Sequence, residues 1–331
     1  MVGLDIGTSY IISARYKSEN EIKYKEVRDA FFRIKPSSPI SASIIEKGLA
    51  NQSYFKDVDG SFVLVGQAAI EKAIERHASA SRPMVRGILA PQEKDARKIL
   101  KFILADVLGK PIEKNEKVVY SIPAQPIDQE DFDVSYHEDV LNMDLRDLGY
   151  SPFALNEAEA VCYSELDKDD YTGIVVDCGA GMVNIAVMSN GEVVLKFSVT
   201  RSGDWIDHMA GLSTGQPDSI VQVEKENGKF VIGQDVPNNQ ILSAVSTYYV
   251  RLIDYIVKNL TTRLSSSKDL PKFVKPIPIV IAGGTTRAKG FSDQFKKVLN
   301  TVQFPIPIKE VRYAEDQERA IARGCLIASS L

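Results

Sequence analysis

The stretch Val2-Gly3-Leu4-Asp5-Ile6-Gly7-Thr8-Ser9 returns half a chain later as Val175-Val176-Asp177-Cys178-Gly179-Ala180-Gly181-Met182. In both copies an aspartate follows an apolar run and precedes glycine and small residues, and a second apolar run comes next. A third strand-like stretch completes each copy, at residues 21–25 and 192–196. The repeat predicts two related domains, each of which opens with a three-stranded meander.

The glycine-rich turn of each copy suits the binding of phosphate. Glycine leaves backbone N–H groups uncovered, and these groups can donate hydrogen bonds to phosphate oxygens. Asp5 and Asp177 cannot attract phosphate themselves, but carboxylates can hold hydrated Mg²⁺, which neutralises phosphate charge. One such hairpin alone is more often an ordinary glycine turn. Two copies favour a nucleotide that is bound between two hairpins.

A third glycine-rich turn, Ala282-Gly283-Gly284-Thr285-Thr286-Arg287, follows the predicted buried strand at 277–281 and precedes a helical pattern that runs to residue 299. A Gly-Gly pair at such a turn lets a flat ring approach the backbone closely. The guanidinium of Arg287 can stack on that ring. The alternative is an ordinary strand-to-helix loop, in which glycine is common.

With these three turns, the sequence resembles the actin-like ATPases within the actin, sugar kinase and heat-shock chaperone superfamily. The five signatures of that family have candidates in the same order, at 5–9, 155–160, 177–181, 282–285 and 322–325. Within the family the chain is most similar to MreB and related prokaryotic actins, at 65–69, 86–89 and 202–207.

The resemblance implies an α/β chain with a two-domain actin-like fold. Each domain would be a ribonuclease-H-like mixed sheet flanked by helices, with the nucleotide in the cleft between the domains. Domain I would comprise residues 1–155 and 313–331, with a small subdomain insert at about 28–90. Domain II would comprise residues 156–312, with a small subdomain at about 205–262.

The resemblance also implies roles for individual residues toward ATP or ADP and Mg²⁺. Asp5 and Asp177 would hold Mg²⁺ through its water molecules. Glu157 would orient or deprotonate the water that attacks the terminal phosphate, whereas the alternative is an acid favoured at a helix N-terminus. The phosphate contacts would come from Gly7, Thr8, Ser9, Gly179, Ala180 and Gly181.

The remainder of the nucleotide would lie against further groups of residues. Gly203 and Asp204 would face the ribose region. Lys225 and Glu226 would flank the base, although a solvated run of charges is an alternative interpretation. The adenosine contacts would come from Gly283, Gly284, Thr285 and Arg287.

Three residues depart from the pattern of the family, namely Ala158, Met182 and Asn184. Related proteins often have an acid or a histidine at the position of Asn184. An amide can orient a water molecule but cannot act as a base. We therefore expect nucleotide binding, with a slow hydrolysis in which Asn184 is a further candidate for orienting water.

Composition and charge exclude several classes of protein. Of 331 residues, 44% are hydrophobic and 25% are charged, as in ordinary globular proteins. A formal net charge of −4 gives no reason to expect direct binding to nucleic acid. Three cysteines without metal-ligand spacing indicate reduced thiols and no transition-metal site. Asp5 interrupts any signal peptide, and we recognise no membrane anchor, so we expect a cytoplasmic protein.

Other patterns predict elements outside the site. Apolar periodicity predicts helices at 96–108, 136–148 and 241–260, and a buried strand at 118–123. Prolines, serines and mixed polarity indicate a loop-rich insert at 36–59. A C-terminal helix from about Ala314 would cross back to the first domain.

The function implied by the resemblance is that of a cytoskeletal ATPase that polymerises with itself, head to tail, into filaments regulated by nucleotide. Adaptor proteins are further conceivable partners. One alternative is a non-polymerising adaptor or a chaperone-like ATPase, although a heat-shock chaperone would be expected to carry a substrate-binding domain after the second connecting helix. A less favoured alternative is a small-molecule phosphotransferase.

Overall fold

The computed structural model describes residues 1–18, 21–268 and 270–330. The N-terminal half contains ten strands and four helices among the residues described: β1 (Val2–Ile6), β2 (Tyr10–Ser18), β3 (Glu21–Arg28), β4 (Phe31–Ile34), α1 (Pro39–Gly48), β5 (Tyr54–Lys56), β6 (Phe62–Val65), α2 (Gln67–Glu75), β7 (Met84–Val85), β8 (Ile88–Leu89), α3 (Ala96–Leu108), β9 (Glu116–Ile122), α4 (Val134–Asp147) and β10 (Tyr150–Asn156).

The C-terminal half contributes five strands and six α-helices among the residues described: α5 (Glu157–Glu165), β11 (Gly173–Cys178), β12 (Val183–Ser189), β13 (Glu192–Val199), α6 (Gly203–Thr214), α7 (Asp218–Asn227), α8 (Gln240–Ser266), β14 (Ile277–Ala282), α9 (Phe291–Leu299), β15 (Ile308–Tyr313) and α10 (Ala320–Ser330). Short 3-10 helices lie at Asp167–Asp169 and Gly284–Arg287.

Two five-stranded sheets with the same topology organise the chain. Their strand orders are β3-β2-β1-β9-β10 and β13-β12-β11-β14-β15. In each sheet the first three strands form an antiparallel meander, and the last two add in parallel. The duplication predicted from the repeated turns is therefore confirmed, as is the mixed α/β fold class. The domain bounds given above stay a prediction.

The central strands bury both of their faces. Every residue of β1, β11 and β14 is buried, which explains why their sequences are almost continuously apolar rather than alternating. Helices α3 and α8 pack on these sheets through the apolar faces predicted from their periodicity. These two cores hold the turns at the carboxyl ends of β1, β11 and β14 in fixed positions.

Helices α5 and α10, which the resemblance predicts to be the two connecting helices, cross in close contact. A Cβ atom at Gly324 would lie 1.8 Å from the carbonyl oxygen of Ala160, so only glycine fits at the crossing. The predicted start of the last helix near Ala314 is wrong. Residues 308–313 form β15, and α10 begins at Ala320 after an intervening turn.

The predicted loop-rich insert at 36–59 is also wrong, because it contains α1 and β5. Ser38 caps α1 by accepting a hydrogen bond from the backbone N–H of Ser41 at 3.1 Å. Pro39 occupies the first turn, where its missing N–H costs nothing. Ser-Pro is therefore a helix start signal here rather than a loop signal.

In the ranges that the structure describes, no helix combines the length and the apolar character needed to cross a bilayer.

Candidate nucleotide site

The turns that join β1 to β2 and β11 to β12 are closed by the same hydrogen bond. The backbone N–H of Gly7 donates to the carbonyl oxygen of Tyr10 at 3.0 Å, and that of Gly179 donates to the carbonyl oxygen of Met182 at 3.0 Å. Each turn follows a buried strand that ends at the cleft. The two copies of the sequence repeat therefore share the hydrogen bond that closes their turns.

The two hairpins face each other across a very short distance. A Cβ atom at Gly181 would lie 2.5 Å from Thr8 Oγ1, which itself accepts a hydrogen bond from the backbone N–H of Gly87 at 2.9 Å. Within the described ranges, no group accepts a hydrogen bond from the backbone N–H of Thr8, Ser9, Ala180 or Gly181. These N–H groups are therefore available to an anion between the hairpins.

A cleft of about 940 Å³ lies between the two sheets and contains both hairpins. Of the residues predicted to contact nucleotide or metal, all except Asn184 line it. The residues that line it are Asp5, Gly7, Thr8, Ser9, Glu157, Asp177, Gly179, Ala180, Gly181, Gly203, Asp204, Lys225, Glu226, Gly283, Gly284, Thr285 and Arg287.

Three carboxyl groups, those of Asp5, Asp177 and Glu157, are buried at the floor of the cleft. Burial raises the pKa of Asp5 to about 7, although a hydrogen bond from Ser121 opposes this shift. Burial and then the charge of Asp5 raise the pKa of Asp177 to about 8. Burial followed by the charges of Asp177 and Asp5 raises the pKa of Glu157 well above its ordinary value. When the groups are ionised, Asp5 repels Asp177, and both repel Glu157, so a cation bound among them would offset this repulsion.

The oxygen atoms available on this floor fit a hydrated cation. Asp177 is 1% exposed, and neither of its carboxylate oxygens has a hydrogen-bond partner in the part of the chain that the structure describes. Asp5 Oδ1 accepts a hydrogen bond from Ser121 Oγ at 3.1 Å, which holds that carboxylate toward the cleft. Among the described residues, no three His, Cys, Asp or Glu side chains group as a direct metal cage. The arrangement suits Mg²⁺ that keeps its water molecules.

Asn184 does not line the cleft, contrary to the expectation that it could orient a water molecule there. Its Oδ1 accepts a hydrogen bond from the backbone N–H of Ala124 at 2.8 Å, which fixes the orientation of the amide. Its Nδ2 then donates to Glu157 Oε2. The side chain is fully buried and has both ends engaged. Asn184 therefore holds Glu157 in place rather than contacting the cleft.

The third glycine-rich turn lies beside the second hairpin. Gly283 has φ of +90°, and a Cβ atom there would lie 2.3 Å from the carbonyl oxygen of Cys178. A Cβ atom at Gly284 meets no atom closer than Glu318 Oε1 at 3.9 Å and so points into open space. Gly283 is thus needed by the fold, whereas Gly284 leaves room in the cleft. Arg287 forms an ion pair with Glu318 at the rim.

The opposite wall of the cleft carries Lys225, which is only 12% exposed in its side chain. Its Nζ donates to Asp207 Oδ2 at 2.8 Å and to the carbonyl oxygen of Gly203 at 3.1 Å. The alternative of a solvated charge run is therefore wrong for this residue. Glu226, one residue on, is more exposed and accepts a hydrogen bond from Arg28 at 3.0 Å.

Among the described residues, three contacts join the two halves across the mouth of the cleft, and we call them the clasp. They are Arg82 with Asp204 and Gln222, Arg28 with Glu226, and Ser79 with Ser219. The carboxylate of Asp204, expected to face the ribose, is thus bound by Arg82 from the other half of the chain.

Sequence reasoning missed Ser121 and Arg82. Ser121 is a buried polar residue within the apolar strand β9, and that contrast was a usable signal of its role beside Asp5. Arg82 gave no such signal, because it lies in a short loop 122 positions from its partner Asp204.

Comparison with solved structures shows that the fold is actin-like. The chain is similar to a subunit of the MamK double helical filament, with 18% identity, a TM-score of 0.71, and coverage of 100% of this chain and 98% of that chain. It is also similar to a non-polymerising mutant of MamK bound to AMPPNP, with 18% identity, a TM-score of 0.58 and the same coverage.

A further similar structure is the ethanolamine utilization protein EutJ from Carboxydothermus hydrogenoformans, with 16% identity, a TM-score of 0.56, and coverage of 98% of this chain and 89% of that chain. A family model described as Volactin matches residues 1–329, so the chain belongs to the Volactin family. No curated protein matches the sequence. The expected resemblance to an actin-like protein is confirmed.

Proposed function

We propose that this protein binds ATP with Mg²⁺ between its two halves, hydrolyses it slowly, and assembles head to tail into cytoskeletal filaments in the cytoplasm. The observation that carries the proposal is the convergence of two glycine hairpins and three buried carboxyl groups on one cleft. Hairpin N–H groups suit phosphate, and unpartnered carboxylate oxygens suit a hydrated cation. The bound AMPPNP named for one similar structure supports a nucleotide as the ligand.

In this proposal each hairpin contributes hydrogen-bond donors to the phosphates. The backbone N–H groups of residues 8–9 and 180–181 bind phosphate oxygens from opposite sides. Asp5 and Asp177 hold Mg²⁺ through water, and that ion supplies positive charge to the phosphates when it is bound. Lys225 adds a fixed cation on the wall toward the ribose. The adenine ring lies against Gly284, where the turn leaves space.

Glu157 is proposed to accept a hydrogen bond from the attacking water and to take its proton. A general base works best when its pKa is not far from the working pH, and burial shifts the pKa of Glu157 in that direction. Asn184 holds one oxygen of this carboxylate, which leaves the other toward the cleft. Slow hydrolysis is expected, because Asn184 is engaged with Ala124 and Glu157 and supplies no second base to the cleft.

Filament formation is proposed from the likeness to the MamK double helical filament. One surface that binds a different surface of the next copy gives an open filament when the rotation does not close. Nucleotide can control assembly only if the filament and the free subunit bind it with different affinity. Closure of the cleft around ATP would supply that difference.

The test combines phosphate release with sedimentation, each measured with ATP and Mg²⁺, with a non-hydrolysable ATP analogue, and without nucleotide. We expect pelleted filaments with ATP and with the analogue, and phosphate release only with ATP. Binding and hydrolysis without any pellet across salt and pH would favour a non-polymerising adaptor. Phosphate transfer to a small molecule instead of water would favour a phosphotransferase.

A further inference from the structure

Arg82 is the central residue of the clasp. Its Nη1 lies 3.0 Å from both carboxylate oxygens of Asp204, and its Nη2 donates to Gln222 Oε1 at 3.1 Å. The side chain is 22% exposed, so little water competes for these contacts. Arg82 comes from the loop before β7, whereas both of its partners lie on α6 and α7 of the other half. These contacts can persist only while the cleft is closed.

A second carboxylate, that of Asp29, lies in the segment beside Arg82, because Phe31 and Ser81 pair antiparallel through two backbone hydrogen bonds of 2.8 and 3.0 Å. Asp29 is 1% exposed, and among the residues that the structure describes neither of its carboxylate oxygens has a hydrogen-bond partner. Its backbone N–H donates to the carbonyl oxygen of Ser9 at 2.9 Å, which fixes Asp29 beside the first hairpin. Burial raises the pKa of Asp29 well above its ordinary value, and the charge of Arg82 followed by the nearby backbone N–H of Met84 acts in the opposite direction. A buried carboxylate without a bonded partner is unfavourable.

We propose that Asp29 is the second partner of Arg82, and that Arg82 exchanges Asp204 for Asp29 when the two halves separate. Asp29 and Arg82 belong to the same half, so they stay together as Asp204 moves away. In the closed state Asp204 is paired and Asp29 is left unpaired. In the open state Asp29 is paired and Asp204 reaches solvent at the rim. Arg82 therefore has a carboxylate partner in both states, and the carboxylate that is left without a partner differs between them.

This exchange makes opening less costly than the loss of an ion pair. Breaking a partly buried pair without a replacement leaves an uncompensated charge, which is strongly unfavourable. A replacement partner removes most of that penalty, so closed and open states become close in free energy. A ligand with modestly different affinity for the two states can then shift the population. Asp29 is thus assigned the role of setting how readily the cleft opens.

Asp207 is not an equivalent competitor for Arg82. It lies on α6 with Asp204 and moves with the other half, and Lys225 already binds its Oδ2 at 2.8 Å. Arg28 is engaged with Glu226 at the other side of the mouth.

The Ser79 and Ser219 hydroxyls provide a reporter of closure, because they lie 3.2 Å apart across the mouth. In a Ser79→Cys/Ser219→Cys variant, a disulfide forms only when the cleft is closed. The three native cysteines are buried and would not compete. The rate of cross-linking under mild oxidation, without nucleotide, measures the closed population. Such a measurement tests the exchange whether or not the protein hydrolyses ATP.

In this background Asp29→Asn removes the second partner, so we expect cross-linking about fivefold faster or more. Asp204→Asn removes the closed partner and should slow it by a similar factor. Asp106→Asn is the matched control, because Asp106 pairs with Lys25 on the surface away from the cleft, and its rate should equal the parent's. In an Arg82→Gln background, Asp29→Asn should have no effect.

Two results would overturn the proposal. One is a rate for Asp29→Asn that equals the parent's or falls as in Asp204→Asn. The other is an unchanged effect of Asp29→Asn when Arg82 is already replaced. Asp29→Ala, which also removes the carboxylate, is the second variant if Asp29→Asn fails to fold, and the same direction is expected. Circular dichroism of each variant separates unfolding from opening.

Discussion

Asn184 Nδ2 donates a hydrogen bond to Glu157 Oε2, and the same amide accepts one from the backbone of Ala124 at 2.8 Å. The loop after β9 and the candidate base at the start of α5 are thus held by one buried side chain. Gln125 and Ile127, which follow Ala124 in this loop, form backbone hydrogen bonds with Ser198 of β13. The loop therefore joins the first half to the edge strand of the second sheet. The position of Glu157 is therefore linked to the contact between the halves.

Asn184→Asp is the sharpest test of this link. The new carboxylate can still accept from Ala124, but its other oxygen faces Glu157 and repels it. We expect the pKa of Glu157 to rise, so the pH profile of phosphate release should move to higher pH. Asn184→Ala should instead lower the rate about 10-fold to 100-fold through misplacement of Glu157. Profiles in which neither the pH midpoint nor kcat changes would contradict a positioning role.

Glu157→Gln should separate nucleotide binding from turnover. The amide keeps the shape of the side chain but cannot take a proton, and loss of such a base typically costs about 10²–10⁴ in rate. Affinity for a fluorescent ATP analogue should change little, and any filaments formed with ATP should persist longer. The measurement is phosphate release beside sedimentation. Release at the rate of the parent protein would remove Glu157 from the mechanism.

Asp177→Asn should stabilise the protein without ligand at pH 8 and abolish its response to Mg²⁺. The pKa of Asp177 is raised from 3.8 to about 8, so its ionisation destabilises the folded state as pH rises through this window. The asparagine amide does not ionise, so this loss of stability disappears, and the carboxylate that would hold the cation is lost as well. Thermal unfolding with ATP, with and without Mg²⁺, is the measurement. An Mg²⁺-dependent gain in Tm equal to that of the parent would argue against a role in cation binding.

Gly284→Val should block nucleotide while leaving the fold intact. A side chain at Gly284 enters open space in the cleft, whereas one at Gly283 would strike the backbone of Cys178. We therefore expect loss of ATP affinity with an unchanged Tm for Gly284→Val, and a lowered Tm for Gly283→Ala. Normal ATP affinity in Gly284→Val would place the adenine elsewhere.

We expect the buried imidazole of His137 to make the folded protein less stable in acid. Burial lowers its pKa from 6.5 to about 4, and its Nδ1 accepts a hydrogen bond from the backbone of Leu89 at 3.3 Å. The unfolded chain binds the proton first as pH falls, so stability is present above pH 6.5 and is lost toward pH 4. The effect is on the order of 3 kcal/mol.

His137→Asn keeps an acceptor for Leu89 but cannot titrate. Urea unfolding from pH 7 to pH 4 should show the parent losing stability relative to this variant. Parallel curves for the two proteins would contradict the prediction. The comparison is needed because the raised pKa values of Asp5 and Asp207 act in the opposite direction over the same range.

The sequence predicted the sheets and hairpins because their signals are local. Apolar runs and glycine turns specify β1–β2 and β11–β12 within a few residues. Because the pattern occurs twice, each copy supports the interpretation of the other. Register adds more, since Asp177 and Asn184 are directly opposite in the second hairpin and so share a face. The partner of Asn184 at Ala124 was not predictable, because it depends on a loop from the other half of the chain.

Charged partners across the cleft were the least predictable part of the site. Arg28 meets Glu226 from 198 positions away, and no sequence period relates the two. In the sequence Lys225 belongs to a run of charged residues, yet the fold buries its side chain against Asp207. Such pairs arise from how two separately specified sheets come together, which local propensity does not encode.

The contact between Gly324 and Ala160 has a mechanical consequence. Two helices that touch through their backbones cannot approach further or slide without clashing, but they can rotate about the point of contact. We therefore expect any rotation of one half relative to the other to be centred on this crossing. Such a rotation would displace the mouth of the cleft more than the residues near the crossing. Arg82 and its partners join the two halves at that mouth, so they are the residues whose contacts such a rotation would change most.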